Sequence, residues 1–378
     1  MGRASVAVFA ILSGYVNALK PIKQTRAGNI DAALSGIAKS AFRRTGRFMF
    51  PAIISTTLSW LVCQFGGYQL AKAVDSAWIR DTSPMPSASF AAAFADLFGN
   101  LMTTWTTGAN QYDRIQWTLC YLLKGSMFVY LTLFATAYVQ PRFRVFVYSA
   151  MYIYMWKLGD AVIGINIYAG LIFAELSYDP DVQQYYADHP YLFSAISPLL
   201  MVLGLYAMSY PEEHPEWSGW SRGLLKLGGY MFPRGSEFAR FYPGVGANLL
   251  CLSIIFNSTA KRILSHKWLC WLGKLSFAIY LLHAPLIRTL LTWMLFGASA
   301  RPPSPGKDDH GHPLPRPWIP HVSRWAFFFL LPLFYVVLYR IALFWQVHVD
   351  PLCAKATNWV EEKVFRDEDK AEKTLLLS

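Results

Sequence analysis

The sequence predicts an all-α, polytopic transmembrane helix bundle of about nine spans, and three observations lead there. Hydrophobic residues make up 54% of the 378-residue chain and charged residues only 15%, against about 25% charge in an ordinary soluble domain. Mean hydropathy is positive, at +0.28. The apolar residues collect in runs close to the ~20 residues that cross a bilayer.

The first run, 4–19, follows Arg3. Ser13-Gly14-Tyr15 interrupts it and no A-x-A cleavage pattern follows, so it reads as a span rather than a secretory signal. Further runs lie near 48–72, 117–139, 143–157, 159–176, 191–209, 243–257, 273–297 and 324–348. Those at 143–157 and 243–257 are short, which predicts tilting or burial among other helices. The 14 Trp and 21 Tyr suit membrane interfaces, where one end of the ring is apolar and the other wet. Residues 73–116 carry Pro84 and Pro86 and then a predicted interfacial helix near 90–105. Residues 210–242 hold Glu212, Glu213, Glu216, Trp217 and Trp220. Residues 298–323 are proline-rich and predict irregular chain. Residues 1–350 thus read as one transmembrane domain. Residues 351–378 read as a charged cytoplasmic tail, amphipathic around Trp359, Val360 and Phe365 and lying on the membrane.

The net charge is +11. The basic residues cluster between apolar runs and no nucleic-acid-binding module is present, so the positive-inside rule explains them and a nucleic-acid partner is excluded. Residues 20–47 hold Lys20, Lys23, Arg26, Lys39, Arg43, Arg44 and Arg47 against a single Asp31, which places that segment in the cytoplasm. Alternation then puts Lys261, Arg262, Lys267 and Lys274 on the same side. The five cysteines form no CxxC pair. They read as buried thiols, neither a zinc site nor a disulfide framework. Asp308, Asp309, His310 and His312 only faintly resemble metal ligands, and no metal is expected. No internal repeat supports an inverted-repeat transporter.

Four places could carry chemistry. In Phe42-Arg43-Arg44-Thr45-Gly46-Arg47, helical spacing puts Arg43 and Arg47 on one face. Such a cluster either anchors topology at lipid headgroups or binds a polyanion, because guanidinium forks grip phosphate. Trp117-Thr118-Leu119 precedes Gly125-Ser126, a pair that allows close helix contact with Ser126 bonded to its own backbone. Lys124 there either snorkels or is functional. In the run 272–285, Ser276, Tyr280 and His283 recur on one helix face. A neutral His283 imidazole is either a base or an interhelical hydrogen bond beside Pro285. Asp160, Asn166 and Glu175 fall in one apolar run, with both carboxylates near its ends and within reach of water.

Together these pieces resemble the acyltransferase 3 family of membrane O-acyltransferases, in the style of its fungal members, over residues 1 to about 347. Arg3 to Tyr15 resembles the family's second span, with its V-x-x-F-F-x-L-S-G-[FY] pattern. Phe42 to Pro51 resembles the basic F-x-R-R-x-x-R-x-x-P element, and Trp117-Thr118-Leu119 the W-[ST]-L motif. Leu272 to Pro285 resembles the late L-G-x-x-S-[FY]-x-I-Y-L-x-H-x-P span. The resemblance implies transfer of an acyl group, often acetyl, from acyl-CoA as co-substrate, with no bound cofactor. The acceptor would be a hydroxyl of a sugar, glycan or secondary metabolite; the chain itself reads as a multi-pass protein of either an endomembrane or the plasma membrane, with the organelle left open. Arg43, Arg44 and Arg47, with Trp117 and Thr118, would hold the CoA. The family's first span, with its catalytic His and an upstream Arg, has no counterpart here. Leu122 stands where the family often has Glu. His283, with Tyr280 and Ser276, would supply the base if the helices bring it to the acceptor. A truncated or degenerate, non-catalytic relative is the alternative expectation, and a transporter a more distant one.

Overall fold

The computed structural model describes residues 2–297, 300–302, 318–319 and 322–365. Among them the chain forms α1 (Gly2–Arg26), α2 (Ile30–Gln64), α3 (Ala77–Thr82), α4 (Phe90–Thr106), α5 (Trp117–Ala135), α6 (Pro141–Leu158), α7 (Gly164–Tyr178), α8 (Pro180–Asp188), α9 (Pro190–Met208), α10 (Gly219–Met231), α11 (Phe238–Ile255), α12 (Ser258–Leu264), α13 (Lys267–Leu286), α14 (Thr292–Phe296), α15 (Arg324–Phe344) and α16 (Asp350–Val364). π-turns at Ile287–Leu291 and Trp345–Val349 join α13 to α14 and α15 to α16.

Seven stretches are long and apolar enough to cross a membrane: Gly2–Arg26, Ile30–Gln64, Arg114–Ala135, Pro190–Met208, Phe238–Ile255, Lys267–Phe296 and Arg324–Val364. They account for seven of the nine predicted runs. The other two runs form α6 and α7. α6 is interrupted by Arg142, Arg144 and Lys157. α7 has 15 residues and rises about 22 Å, short of a ~30 Å hydrocarbon core. The chain is an all-α bundle of the polytopic membrane kind. Phe328, Phe329, Val336 and Phe344 on α15 face outward, as suits a helix whose surroundings are lipid.

The chain divides into two compact units. The first comprises Met1–Arg44 and Tyr121–Lys267. At its centre lies α7, buried from Gly164 to Leu171 and again from Phe173 to Glu175, with α1, α6 and α11 packed around it. Gly14 of α1 meets Gly170 of α7. A Cβ on Gly14 would lie 2.3 Å from the Ile167 carbonyl, and one on Gly170 2.3 Å from the Ile11 carbonyl. Small residues let backbones approach where lipid supplies no hydrophobic drive between helices. At Gly125, likewise, a Cβ would meet Ile167 Cδ1 at 2.0 Å, as the sequence predicts.

Glu175 closes the lower end of α7. Contrary to the expectation that it reaches water, it is wholly buried. It accepts from Arg144 Nε at 2.5 Å and from Arg26 Nε at 3.0 Å, while Arg26 also pairs with Asp179 at 3.3 Å. Two cations and two carboxylates balance in charge, which is what makes burial tolerable. Asp160 closes the turn ahead of α7, accepting from the Ile163 amide at 3.2 Å.

The second unit comprises Thr45–Cys120 and Trp268–Ser378. Its core gathers Ala52, Leu119, Leu281, Leu291, Phe334, Leu338 and Trp345. The predicted interfacial helix is α4. Ser89 caps it at 3.2 Å from the Ala92 amide, and Phe90, Phe94, Phe98 and Met102 form an exposed stripe along it. α16 continues from α15 and buries Cys353, Thr357 and Glu361. Thr357 lies against Gly46, where a Cβ would meet its Oγ1 at 2.6 Å. The motif-like Asp308, Asp309, His310 and His312, and the tail from 366 onward, lie outside the described residues.

Two stability predictions follow from the first unit. Gly14→Val inserts atoms where backbone already stands and will cost about 1–3 kcal/mol or more, read as a lowered unfolding temperature in detergent. Glu175→Ala leaves the buried Arg144 guanidinium without its carboxylate and Arg26 with Asp179 alone, and will cost about 3–5 kcal/mol. Replacing Asp160 by Ala, which removes only one turn hydrogen bond, will cost about 1 kcal/mol, and the ranking of the two checks the assignment.

Candidate functional site

The second unit holds most of the predicted site residues, and the pairing of α2 with α13 positions them. Phe48 meets Phe277 edge-on, with ring centroids 5.8 Å apart. Further along, Ser55 Oγ donates to the Leu281 carbonyl at 2.9 Å. Residue numbers rise together on both helices, so the two run parallel. Arg47 therefore lies near the level of Ser276, Tyr280 one turn beyond, and His283 a further turn along.

His283 Nδ1 lies 3.0 Å from the Ile279 carbonyl and 2.9 Å from the Tyr280 carbonyl. Carbonyl oxygens only accept, so Nδ1 carries a proton, and in the neutral imidazole Nε2 then carries the lone pair. Among the described residues Nε2 has no hydrogen-bond partner, and the side chain is half-buried. Tyr280 is held differently. Its hydroxyl donates its one proton to the Ile115 carbonyl and so accepts from Thr118 Oγ1, at 2.5 Å. The structure thus brings Thr118 and Tyr280 together, as a clamp between the start of α5 and α13. Ser276 Oγ donates to the Gly273 carbonyl one turn back, at 2.8 Å. Trp117, half-buried, opens α5 after a tight turn at Arg114–Gln116.

Behind this clamp is a buried polar cluster that sequence reasoning missed. Arg288, 1% exposed, donates to the Tyr112 carbonyl at 2.6 Å and the Thr82 carbonyl at 2.7 Å, and lies 5.0 Å from the Tyr68 ring centre. Asp113 accepts from the Ile115 amide at 3.3 Å and from Gln116 Nε2 at 3.2 Å. Asn110, Thr56 and Gln116 complete the network. The available signal was an arginine inside the apolar run 273–297.

The basic cluster of α2 is split by side-chain direction. Arg43 and Arg47 are exposed, on the shared face that spacing predicts. Arg44, in the first unit, turns inward: Nε donates to Ser126 Oγ at 2.8 Å and NH2 to Ser13 Oγ at 3.0 Å. Ser126 also back-bonds to the Leu122 carbonyl, at 2.8 Å. Arg47 has no ion-pair or hydrogen-bond partner among the described residues. The hints of a transporter have local explanations, since Lys124 is exposed over the Tyr121 ring at 5.7 Å, Asp160 bonds the Ile163 amide in its own turn and Glu175 is paired. Among the described residues no group of acidic, His and Cys side chains could hold a metal.

Burial pushes the Asp113 carboxyl, in the loop ahead of α5, up to about 6 against the pull of Arg288. The folded protein then keeps this proton to higher pH than the unfolded chain, whose carboxyl titrates near 3.8. This group's contribution to stability is therefore largest at low pH and falls as pH rises from about 4 through 6. Asp113→Asn will remove that share of the slope, so the gap in unfolding temperature between parent and variant will differ between pH 4.5 and pH 7.

No family model matches the chain, and no solved structure matches it. The chain is similar to O-acetyltransferase PaAT-1 of Phomopsis amygdali, at 23% identity over a 407-residue alignment that covers 98% of this chain and 76% of the relative. The likeness spans nearly the whole chain and supports an acyltransferase at the level of family.

Proposed function

We propose that this chain is a membrane-bound O-acyltransferase that moves an acyl group, acetyl by analogy with its relative, from acyl-CoA to a hydroxyl of an acceptor. The observation that carries the reading is the pair of backbone carbonyls at His283 Nδ1. With Nδ1–H held by two backbone carbonyls, Nε2 is an oriented base inside an apolar helix. As the acceptor oxygen attacks the thioester carbonyl, Nε2 takes its proton. The C–S bond breaks and the imidazolium returns that proton to the departing CoA thiolate. Arg47 and Arg43, exposed on one face of α2, are suited to the CoA phosphates. The excess of basic residues over 20–47 puts that face on the cytoplasmic side, where acyl-CoA is found. Arg44 would act indirectly, holding α2 through Ser13 and Ser126. Trp117 and Thr118 would support the donor from the start of α5, Thr118 by fixing Tyr280.

Leu122, where the resemblance expects Glu, favours the competing reading of a non-catalytic relative. One experiment separates the two. His283→Gln will lower turnover by about 10²–10⁴-fold while labelled acyl-CoA still binds. Arg47→Ala will weaken acyl-CoA binding by about tenfold or more, the worth of one charge-assisted contact. Unchanged turnover in His283→Gln removes the base assignment, and absence of transfer in the parent with excess donor supports the non-catalytic reading.

A further inference from the structure

The second unit contains a groove of about 720 Å³ between the far half of α2 with its following turn and the far half of α13, a volume typical of small-molecule sites. It begins at Leu282, the residue before His283, and runs away from the Arg47 end toward Trp293. Leu58, Leu61 and Phe65 on its rim are exposed and belong to or directly follow a candidate span, so the rim is continuous with the lipid-facing surface. Gly66 and Gly67 close its end. Gly66 holds φ at +77°, and a Cβ on Gly67 would lie 2.6 Å from Val62 Cγ1.

The lining sets what can enter. It holds no charged side chain among the described residues, which makes it a poor host for the polyanionic CoA. Its hydroxyls are already committed: Ser55 to the Leu281 carbonyl, Tyr68 to Ser59, Ser59 to the Tyr112 carbonyl, and Thr289 to the Pro285 carbonyl. Two uncharged polar groups remain without a partner among the described residues, the Gln69 amide and Trp293 Nε1–H. A sugar would bury several hydroxyls with two partners to share, a loss of about 1–3 kcal/mol for each one stranded. A hydrocarbon skeleton with one or two polar substituents matches.

We propose that this groove is the acceptor site and that the acceptor is an uncharged, lipophilic alcohol entering from the bilayer rather than a sugar or glycan. The proposal rests on the acyltransferase reading for the word acceptor, and it orders the reaction along one helix pair. The donor phosphates lie at Arg47, the base at His283, and the alcohol beyond it with its hydroxyl turned back toward the base. Gln69 and Trp293 would take polar substituents at the distal end.

The test uses the full chain in lipid nanodiscs and, as probe, an uncharged polycyclic alcohol bearing a diazirine and an alkyne. Photolabelling mapped by mass spectrometry should fall in 58–70 and 282–293 and be competed by the unlabelled alcohol but not by glucose. Leu286→Trp should cut that labelling by about tenfold or more, as expected for blocking an apolar pocket, without weakening labelled acyl-CoA binding. Leu58→Trp, on the exposed rim, serves if the first variant does not fold. Labelling outside these segments overturns the proposal. So does equal labelling by a diazirine phosphatidylcholine that the alcohol fails to displace, which would make the groove a lipid seat. His283→Gln should lower transfer by about 10²–10⁴-fold yet leave photolabelling intact. Undiminished transfer in His283→Gln with groove labelling present would refute the base assignment alone.

Discussion

The register of α2 against α13 is the constraint on which the second unit depends. Two contacts pin it: an aromatic edge between Phe48 and Phe277, and a hydrogen bond from Ser55 to the backbone of Leu281. In hydrocarbon a hydroxyl that misses its partner has no water to turn to, so Ser55 resists sliding of one helix past the other. A shift by one turn would carry Arg47, His283 and the groove out of their present order. The parallel sense matters as much, because it grades the helix pair from cationic at one end to apolar at the other.

The first unit solves a different problem. It must bury α7, which is short and carries a carboxylate at its end. Glycine at 14 and 170 lets α1 and α7 touch backbone to backbone, and Arg26 and Arg144 neutralise Glu175. None of this provides an accessible reactive group. Removing a partner from such a buried set costs more than the set itself contributes, so these residues are structural even though their chemistry looks functional in isolation.

The distinction between support and chemistry rests on which polar groups are already committed. Tyr280, Thr118, Ser276, Arg288 and Arg44 all donate to identified neighbours. His283 keeps one nitrogen open, Arg47 projects outward, and Gln69 and Trp293 face the groove with uncommitted donors. Asp113 and Arg288 hold the loop that receives the Tyr280 hydroxyl. They act on the site through the Ile115 carbonyl and the His283-bearing turn, without touching a reacting atom.

The sequence by itself determined the helical class, seven stretches long and apolar enough to cross a membrane, a helix at 90–106, and the shared face of Arg43 and Arg47. These follow from hydropathy, run length and the 3.6-residue period, all of which are local. It also singled out Gly125 and His283 as a close-contact glycine and a histidine inside an apolar run. Only the tertiary structure decided that Glu175 is sealed between two arginines, that Arg44 turns inward to two serines, and that Tyr280 is a clamp while His283 presents a lone pair. It alone disclosed the groove, whose walls come from residues more than 200 positions apart. Periodicity tells which face of a helix a residue occupies, but not which helix that face meets, and hydrogen-bond commitments belong to the meeting.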